Sequence, residues 1–258
     1  MKVAVFDPVS GASGDMILGA LVDAGALVSD IQIELDKLAL PVRLIADPVE
    51  QSAVRGIRVT VDADDKAHAR PWRVIHDLIE HSSFGDRVRR RALAIFTRLA
   101  EAEAFVHDSP VDDVHFHEIG GLDTIADICG TCIGLEILAI EQIYCGPLRI
   151  GSGFVRAAHG ILPVPAPATA RLIAESNAPI STEFLAGTES PGELLTPTGA
   201  AILTTLSSFE PVQCSTRAIG YGFGTRELSW PNALRVWIGE AAQLSAPEDS
   251  GELIIETN

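Results

Sequence analysis

The chain has 258 residues, of which 47% are apolar, and its formal net charge is −16. This length and apolar content allow a substantial core in one large domain or two small ones. The negative charge argues against nucleic acid and anionic membranes as partners, because neutralising phosphates requires clustered Lys and Arg. No apolar run approaches the roughly 18 residues of a membrane span, and the amino end lacks the features of a signal peptide. We therefore expect a cytoplasmic protein.

Apolar spacing and turn residues predict helices and strands in irregular order. The predicted strands are 3–6, 42–45, 57–61, 111–116, about 143–150, 212–219 and 233–238. The predicted helices are 16–24, 29–40, 71–80, 86–106, 124–139 and 168–176, and another starts at Thr196. This mixture indicates an α+β or mixed α/β fold with helices packed on a mixed sheet, whose strand order is left open. Residues 1–240 are the predicted folded region, as one domain or two subdomains, and 241–258 are a predicted linker.

The amino end combines a short strand, a glycine-rich loop and the start of a helix. Free backbone N–H groups and the positive end of a helix dipole converge in such a loop and can hold an anion. The loop lacks the Gly-Lys-Ser/Thr ending of a Walker loop, and Asp15 would repel a nearby anion. Asp7 and Asp15 could bind a cation instead, and turn formation by the glycines alone is an equal alternative. The candidate ligand-binding residues are Ser10, Gly11, Ser13, Gly14 and Asp15.

The segment 115–127 is the part of the chain richest in metal-binding and acid-base groups. On a strand, His115 and His117 would share one face about 6 to 7 Å apart, a spacing that suits two imidazoles on one cation. Glu118 would lie beside them, and the following glycine pair would allow a turn into the next helix. The pattern predicts a metal site, although it does not choose among zinc, nickel, iron and manganese.

Two aspartates and one further histidine near this segment have structural alternatives. Asp123 is a natural N-cap, and Asp127 is partly explained by the helix dipole. His159 precedes Gly160 at the start of a proline-rich stretch and is either a third ligand or part of a turn. We favour the ligand.

The Cys-x-x-Cys pair Cys129 and Cys132 lies within the apolar helix predicted over 124–139. A zinc knuckle would need a second pair, which Cys145 and Cys214 do not supply by spacing. Core packing is therefore predicted for these thiols, since a free cysteine behaves as a small hydrophobe.

Four segments, taken together and in this order, resemble the LarC-type nickel insertion proteins. They are Asp7-Pro-Val-Ser-Gly-Ala-Ser-Gly-Asp-Met, His115-Phe-His-Glu-Ile-Gly-Gly-Leu-Asp-Thr-Ile-Ala-Asp-Ile, His159-Gly-Ile-Leu-Pro-Val-Pro-Ala-Pro-Ala-Thr and Glu193-Leu-Leu-Thr-Pro-Thr-Gly-Ala-Ala. Each alone is weak, but together they are specific and span nearly the whole chain.

The resemblance implies a lyase-type metal insertion that completes the nickel-pincer nucleotide of lactate racemase and related enzymes. Nickel (Ni2+) would be inserted into pyridinium-3,5-bisthiocarboxylic acid mononucleotide. The family couples this step to CTP, which binds with a divalent cation in a second, C-terminal domain. That domain begins near the point where this chain stops, at Glu256-Thr257-Asn258. The resemblance therefore implies that this chain needs the C-terminal domain as a partner and is inactive alone.

These observations lead to a specific site hypothesis. Imidazole and carboxylate ligands would hold nickel weakly enough to pass it to the substrate, and Glu118 or a histidine would accept the proton released. A metal-dependent hydrolase and a non-catalytic assembly module are the alternatives, and a homo-oligomer is left open. The hypothesis assigns His115, His117, Glu118 and His159 to the metal, and Glu118 and Asp123 to catalysis.

Overall fold

The computed structural model describes residues 1–64, 69–116, 119–157, 160–182 and 191–242. In these ranges the helices are α1 (Gly14–Asp23), α2 (Val28–Leu35), α3 (Trp72–Glu80), α4 (Asp86–His107), α5 (Leu122–Ile137), α6 (Pro167–Ser176) and α7 (Pro197–Leu206). Two 3-10 helices occupy Asp36–Leu38 and Val111–Asp113.

The strands of the described ranges form one large sheet and four short pairs. They are β1 (Lys2–Asp7), β2 (Val42–Gln51), β3 (Val54–Ala63), β4 (Arg70–Pro71), β5 (His115–Phe116), β6 (Gln142–Cys145), β7 (Leu148–Arg149), β8 (Gly151–Ser152), β9 (Phe154–Ala157), β10 (Gly160–Pro163), β11 (Ile180–Ser181), β12 (Gly192–Glu193), β13 (Ser207–Ser208), β14 (Cys214–Phe223) and β15 (Ala233–Ala241). The large sheet has seven strands in the order β13-β6-β1-β15-β14-β3-β2.

The large sheet is mixed, as predicted, and the α+β class is confirmed. β15 is antiparallel to both β1 and β14, while β6 runs parallel to β1 and β3 runs parallel to β14. β1, β14 and β3 therefore share one direction, and their carboxyl ends lie at the same edge. Ligand sites in open sheets of parallel strands and helices lie preferentially at that edge.

Helix α1 lies directly against the backbone of β14, where glycines remove the side chains that would keep them apart. A Cβ added at Gly222 would lie 1.8 Å from the Met16 carbonyl oxygen, and one at Gly220 would lie 2.1 Å from that of Ala20. Most of the glycine-rich segment 220–224 belongs to β14, and its glycines allow this close approach.

Helix α5 is buried on nearly all sides, between α1 and α2 on one side and α4 on the other. Such a helix is expected to be apolar around its whole circumference. Most residues of α5 are apolar and buried, as this rule requires. Asp127 is therefore unusual, because it places a carboxylate near the amino end of a core helix.

The predicted strand over 111–116 is wrong. Residues Val111–Asp113 form a 3-10 turn, in which the Asp113 N–H donates to the Pro110 carbonyl at 3.0 Å. Only His115 and Phe116 of this segment form a strand. The turn-forming Pro110 and two adjacent aspartates outweigh the alternation of apolar and polar residues. None of the helices among the described residues is both long and apolar enough to cross a membrane.

Candidate functional site

Two of the sequence segments singled out above meet at the carboxyl end of β1. The Ala12 N–H donates to the Leu194 carbonyl at 2.9 Å, and the Thr196 N–H donates to the Ala12 carbonyl at 3.0 Å. Gly11 makes this contact possible. Its φ is +95°, and an added Cβ would lie 2.0 Å from the Leu194 carbonyl oxygen. The loop after β1 is thus fixed against the strand-like segment that leads into α7.

A cavity of about 320 Å³ opens beside this loop and is called the acidic cavity here. Three carboxylates line it, and the surrounding hydroxyl groups come from the loop, β3, α5, α7 and the residue that follows Gly224. The carboxylates belong to Asp15, Asp123 and Asp127; the hydroxyl groups belong to Ser13, Thr60, Thr124, Thr196, Thr198 and Thr225. Carboxylate oxygens are ligands for cations and repel phosphate, whereas hydroxyl groups can bind either kind of ion.

Asp127 is the most perturbed group of the acidic cavity. Its Oδ1 is shielded from solvent and has no hydrogen-bond partner among the described residues, although the residue keeps some exposure where it lines the cavity. Burial raises its pKa well above the usual range, and the charges of Asp15 and Asp123 add to the rise. A buried carboxylate of this kind needs a proton or a cation to offset its charge.

Asp15 lies next to Asp127 in the first turn of α1. Its Oδ1 accepts hydrogen bonds from the Ser13 hydroxyl and from the Met16 N–H, the latter at 2.9 Å. Burial raises its pKa despite these hydrogen bonds. The amino end of α1 thus already faces a carboxylate of its own first turn, which favours the cation interpretation of this loop over phosphate binding.

Gly14 brings α1 and α5 together at this point. A Cβ added to it would lie 2.6 Å from Asp127 Oδ2 and 2.9 Å from Thr198 Cγ2. Only glycine therefore allows the amino end of α1 to approach Asp127 so closely.

The structure brings together only part of the predicted site. Ser13, Gly14, Asp15 and Asp123 line the acidic cavity or touch its carboxylates. Asp123 is exposed and lies in the first turn of α5, whose N-cap is Gly121, so the prediction of Asp123 as the N-cap is wrong. The helix begins before Asp123 because the chain turns tightly at Gly120–Gly121. A Cβ added at Gly120 would lie 2.5 Å from the Phe116 carbonyl oxygen, so a larger residue would not fit there.

The histidine part of the predicted site stays a prediction. His115 is exposed on β5, where it pairs with Pro71 of β4. His117, Glu118 and His159 lie outside the described residues. Within the described ranges, no three His, Cys, Asp or Glu side chains are arranged so that they could hold a metal ion.

Ser10 and Gly11 do not line the acidic cavity. Ser10 is buried, and its hydroxyl donates to the Pro231 carbonyl at 2.7 Å. It lies instead beside a second cavity on the other side of the loop. Both residues thus have clear structural roles in fixing the loop.

Sequence reasoning gave too little weight to Asp127 and to the threonines of the 193–201 segment. The Thr196 hydroxyl accepts the Gly199 N–H at 3.2 Å, as expected of an N-cap, but Thr196 also lines the acidic cavity. The presence of both segments in the resemblance was the available signal that they share a site.

Cys129 and Cys132 pack in the core, as predicted, and so does Cys145, whereas Cys214 is half-buried; all four are free thiols. Burial raises the pKa of Cys132 to about 12 and that of Cys129 well above its usual range. These thiols therefore stay protonated near neutral pH and are poor metal ligands.

Fold and cavity together define a mixed-sheet α+β protein with an acidic, hydroxyl-lined cavity suited to a cation. The profile of the family described as "Nickel insertion protein" matches residues 4–258. The chain belongs to the nickel insertion protein family.

Curated relatives agree with this assignment. A relative from Thermomicrobium roseum, whose name places it among the nickel insertion proteins, is 49% identical over 100% of this chain and 63% of its own length. A Desulfitobacterium hafniense relative named pyridinium-3,5-bisthiocarboxylic acid mononucleotide nickel insertion protein is 42% identical over 98% of this chain and 61% of its own length. The chain thus spans less than two thirds of these relatives. No solved structure matches it.

Proposed function

We propose that this chain forms the nickel-handling part of a protein that inserts nickel into pyridinium-3,5-bisthiocarboxylic acid mononucleotide. The observation that carries the proposal is the buried Asp127 carboxylate beside Asp15 in the acidic cavity, whose shielded Oδ1 has no hydrogen-bond partner among the described residues. A divalent cation there would offset charges that burial otherwise makes unfavourable. The name of the Desulfitobacterium hafniense relative supplies the substrate.

Nickel enters this scheme as a substrate. Asp127 and Asp15 would hold it through oxygen atoms. The ligands assigned from the sequence, His115, His117, Glu118 and His159, would form a separate set that delivers or receives the ion, because His115 does not form a three-residue metal site with the two aspartates. Oxygen ligands are hard, whereas the thiocarboxylate sulfurs of the acceptor are softer donors. Transfer to the substrate would therefore be favourable, and the protein would hold the ion only transiently.

Insertion replaces a carbon–hydrogen bond of the pyridinium ring by a carbon–nickel bond, and the proton must pass to a base. Glu118 is the base assigned from the sequence. Asp123 is the described alternative, because it is exposed and lines the acidic cavity. A carboxylate is a competent acceptor if it lies within hydrogen-bond reach of that proton.

The histidine assignment is tested by a double substitution, His115→Ala with His117→Ala. We expect nickel affinity to fall by about 10- to 100-fold, the range seen when groups that support a metal are removed. Stability should change little, since His115 is exposed. Calorimetric titration with nickel gives the affinity, and His81→Ala with His107→Ala, two exposed histidines at the carboxyl ends of α3 and α4, is the matched control. Unchanged nickel stoichiometry and affinity in the His115/His117 variant would contradict the assignment.

The complete reaction is proposed to need CTP, a divalent cation and the C-terminal domain of the family, and to supply lactate racemase-type enzymes with their cofactor. We expect this chain alone to bind nickel but to form no nickel cofactor when incubated with the mononucleotide and CTP. Adding the C-terminal domain should restore product formation, measured by mass spectrometry. Product formation by the chain alone would place the whole reaction in this part of the protein. It would contradict the proposal that the reaction needs the C-terminal domain.

A further inference from the structure

A second cavity, of about 340 Å³, lies on the other side of the loop after β1 and is called the basic cavity here. Its walls include two arginines, Arg149 and Arg235, and two aromatic residues, Tyr221 and Trp230. No carboxylate lines it among the described residues. In a chain with a net charge of −16, a cavity with two arginines and no acid in its lining is a site for an anion.

The guanidinium group of Arg235 is held in a fixed orientation. It forms an ion pair with Asp7 at the end of β1 and lies over the ring of Trp237, 4.6 Å from the ring centroid. Its Nε is shielded from solvent, so a ligand in the cavity would meet the exposed part of the guanidinium group, since the side chain is 29% exposed and lines the cavity. A planar guanidinium fixed in this way has donors already oriented for a phosphate, so little side-chain entropy is lost on binding.

A third cavity, of about 210 Å³, lies between the basic and acidic cavities. This middle cavity shares Leu194 with the basic cavity, and it shares Ser13, Asp15, Thr196 and Thr225 with the acidic cavity. The three cavities therefore follow one another around the loop. Three carboxylates line one end of the row, the middle cavity is lined by both Glu193 and Arg226, and Arg149 and Arg235 line the other end.

We propose that the basic cavity binds the phosphate group of an aromatic mononucleotide and that the ring of this ligand points past Leu194 towards the acidic cavity. The inference rests on the proposed function and adds the position and direction of the substrate. A pyridinium mononucleotide has a cationic ring and an anionic phosphate, so its charges match the two ends of the row. The amino end of α1, the other candidate phosphate site, already faces the Asp15 carboxylate.

Nicotinamide mononucleotide, a pyridinium mononucleotide, is the probe for this proposal. In calorimetry with the metal-free chain, it should bind more tightly than nicotinamide riboside, which has no phosphate. Arg149→Gln and Arg235→Lys should each weaken its binding by about tenfold or more, the effect of removing a charge-assisted hydrogen bond or the paired geometry of a guanidinium. Arg55→Gln is the matched control, because Arg55 is exposed and pairs only with Glu50 at the surface.

Thermal unfolding identifies any variant that fails to fold, and Arg235→Lys keeps the charge beside Asp7. Inorganic phosphate should compete with the mononucleotide but bind more weakly, since it leaves the apolar walls of the cavity uncovered. The proposal is overturned if wild-type protein does not bind the mononucleotide, or if both arginine variants bind it like the wild type. Because no nickel is present, this result is independent of nickel binding at Asp127, which tests the proposed function separately.

Discussion

Replacing Asp127 by Asn should abolish nickel retention while making the metal-free chain more stable. The substitution keeps the shape of the side chain but removes a charge that burial, Asp15 and Asp123 all disfavour. We expect nickel affinity to fall by about 100-fold, the upper end of the range of about 10- to 100-fold for groups that support a metal. The free energy of unfolding at neutral pH should rise by about 1–2 kcal/mol, a gain typical of changes that relieve a strained functional site.

The pH dependence of the free energy of unfolding shows whether the Asp127 carboxyl group stabilises or destabilises the folded chain. A raised pKa means that the folded chain binds the Asp127 proton more tightly than the unfolded chain does. Stability from this group is therefore complete below the unfolded value of 3.8 and is lost as the pH rises towards the folded pKa. Asp127→Asn has no carboxyl group to titrate and should not lose this stability. The difference in free energy of unfolding between the variant and the wild type should therefore grow as the pH rises from 3.8 towards the folded pKa of Asp127.

Chemical denaturation of chelator-treated protein at several pH values measures the stability, and equilibrium dialysis measures nickel. Asp47→Asn is the matched control, because Asp47 is exposed on β2 and should change neither quantity. Nickel binding by Asp127→Asn at wild-type affinity would remove the central support for the acidic cavity as the nickel site. A loss of stability in this variant would show that the Asp127 charge is offset within the chain.

Much of the fold could be predicted because the signals are local. The helices α3, α4 and α6 were predicted to within one or two residues, since amphipathic spacing and a proline near the start of the helix define them. β2 and β3 form a hairpin, but the sequence predicted only two short, separate strands. The turn between them uses Ser52 and Ala53 with positive φ, and it lacks the glycine or asparagine that usually marks such a turn. Strand order depends on contacts between distant segments, which periodicity does not report.

The candidate site also depends on contacts between segments that are distant in sequence. The helix dipole explains Asp127 partly from its local sequence, but its raised pKa comes from burial and from the charge of Asp15 in a distant part of the chain. Arg149 and Arg235 stand alone in the sequence and carry no motif, so their shared cavity becomes visible only in the folded chain. The loop after β1 could be proposed as a site from the sequence, because strand, glycines and helix start are adjacent along the chain.

Replacing Gly14 by Ala should disturb the acidic cavity through a purely steric effect. The new Cβ would lie 2.6 Å from Asp127 Oδ2, 2.7 Å from Asp127 Cβ and 2.9 Å from Thr198 Cγ2, so at least one of these groups must move. We expect a loss of about 1–3 kcal/mol in the free energy of unfolding, the usual cost of overpacking. Nickel affinity should fall as well, because the displaced carboxylate is the proposed ligand.

Gly85→Ala is the matched control for this substitution. Gly85 also lies at the amino end of a helix, as the N-cap of α4, but an added Cβ there would meet nothing within 4 Å. Adding Thr198→Ser to Gly14→Ala removes the Cγ2 methyl from the crowded point and should recover part of the lost stability, a coupling expected only between groups in contact. Denaturation curves of the single and double variants, with nickel titrations of each, measure both effects. If Gly14→Ala matched Gly85→Ala in stability and in nickel affinity, α1 and α5 would not be packed against each other through Asp127 as described, and the acidic cavity would lose its geometric basis.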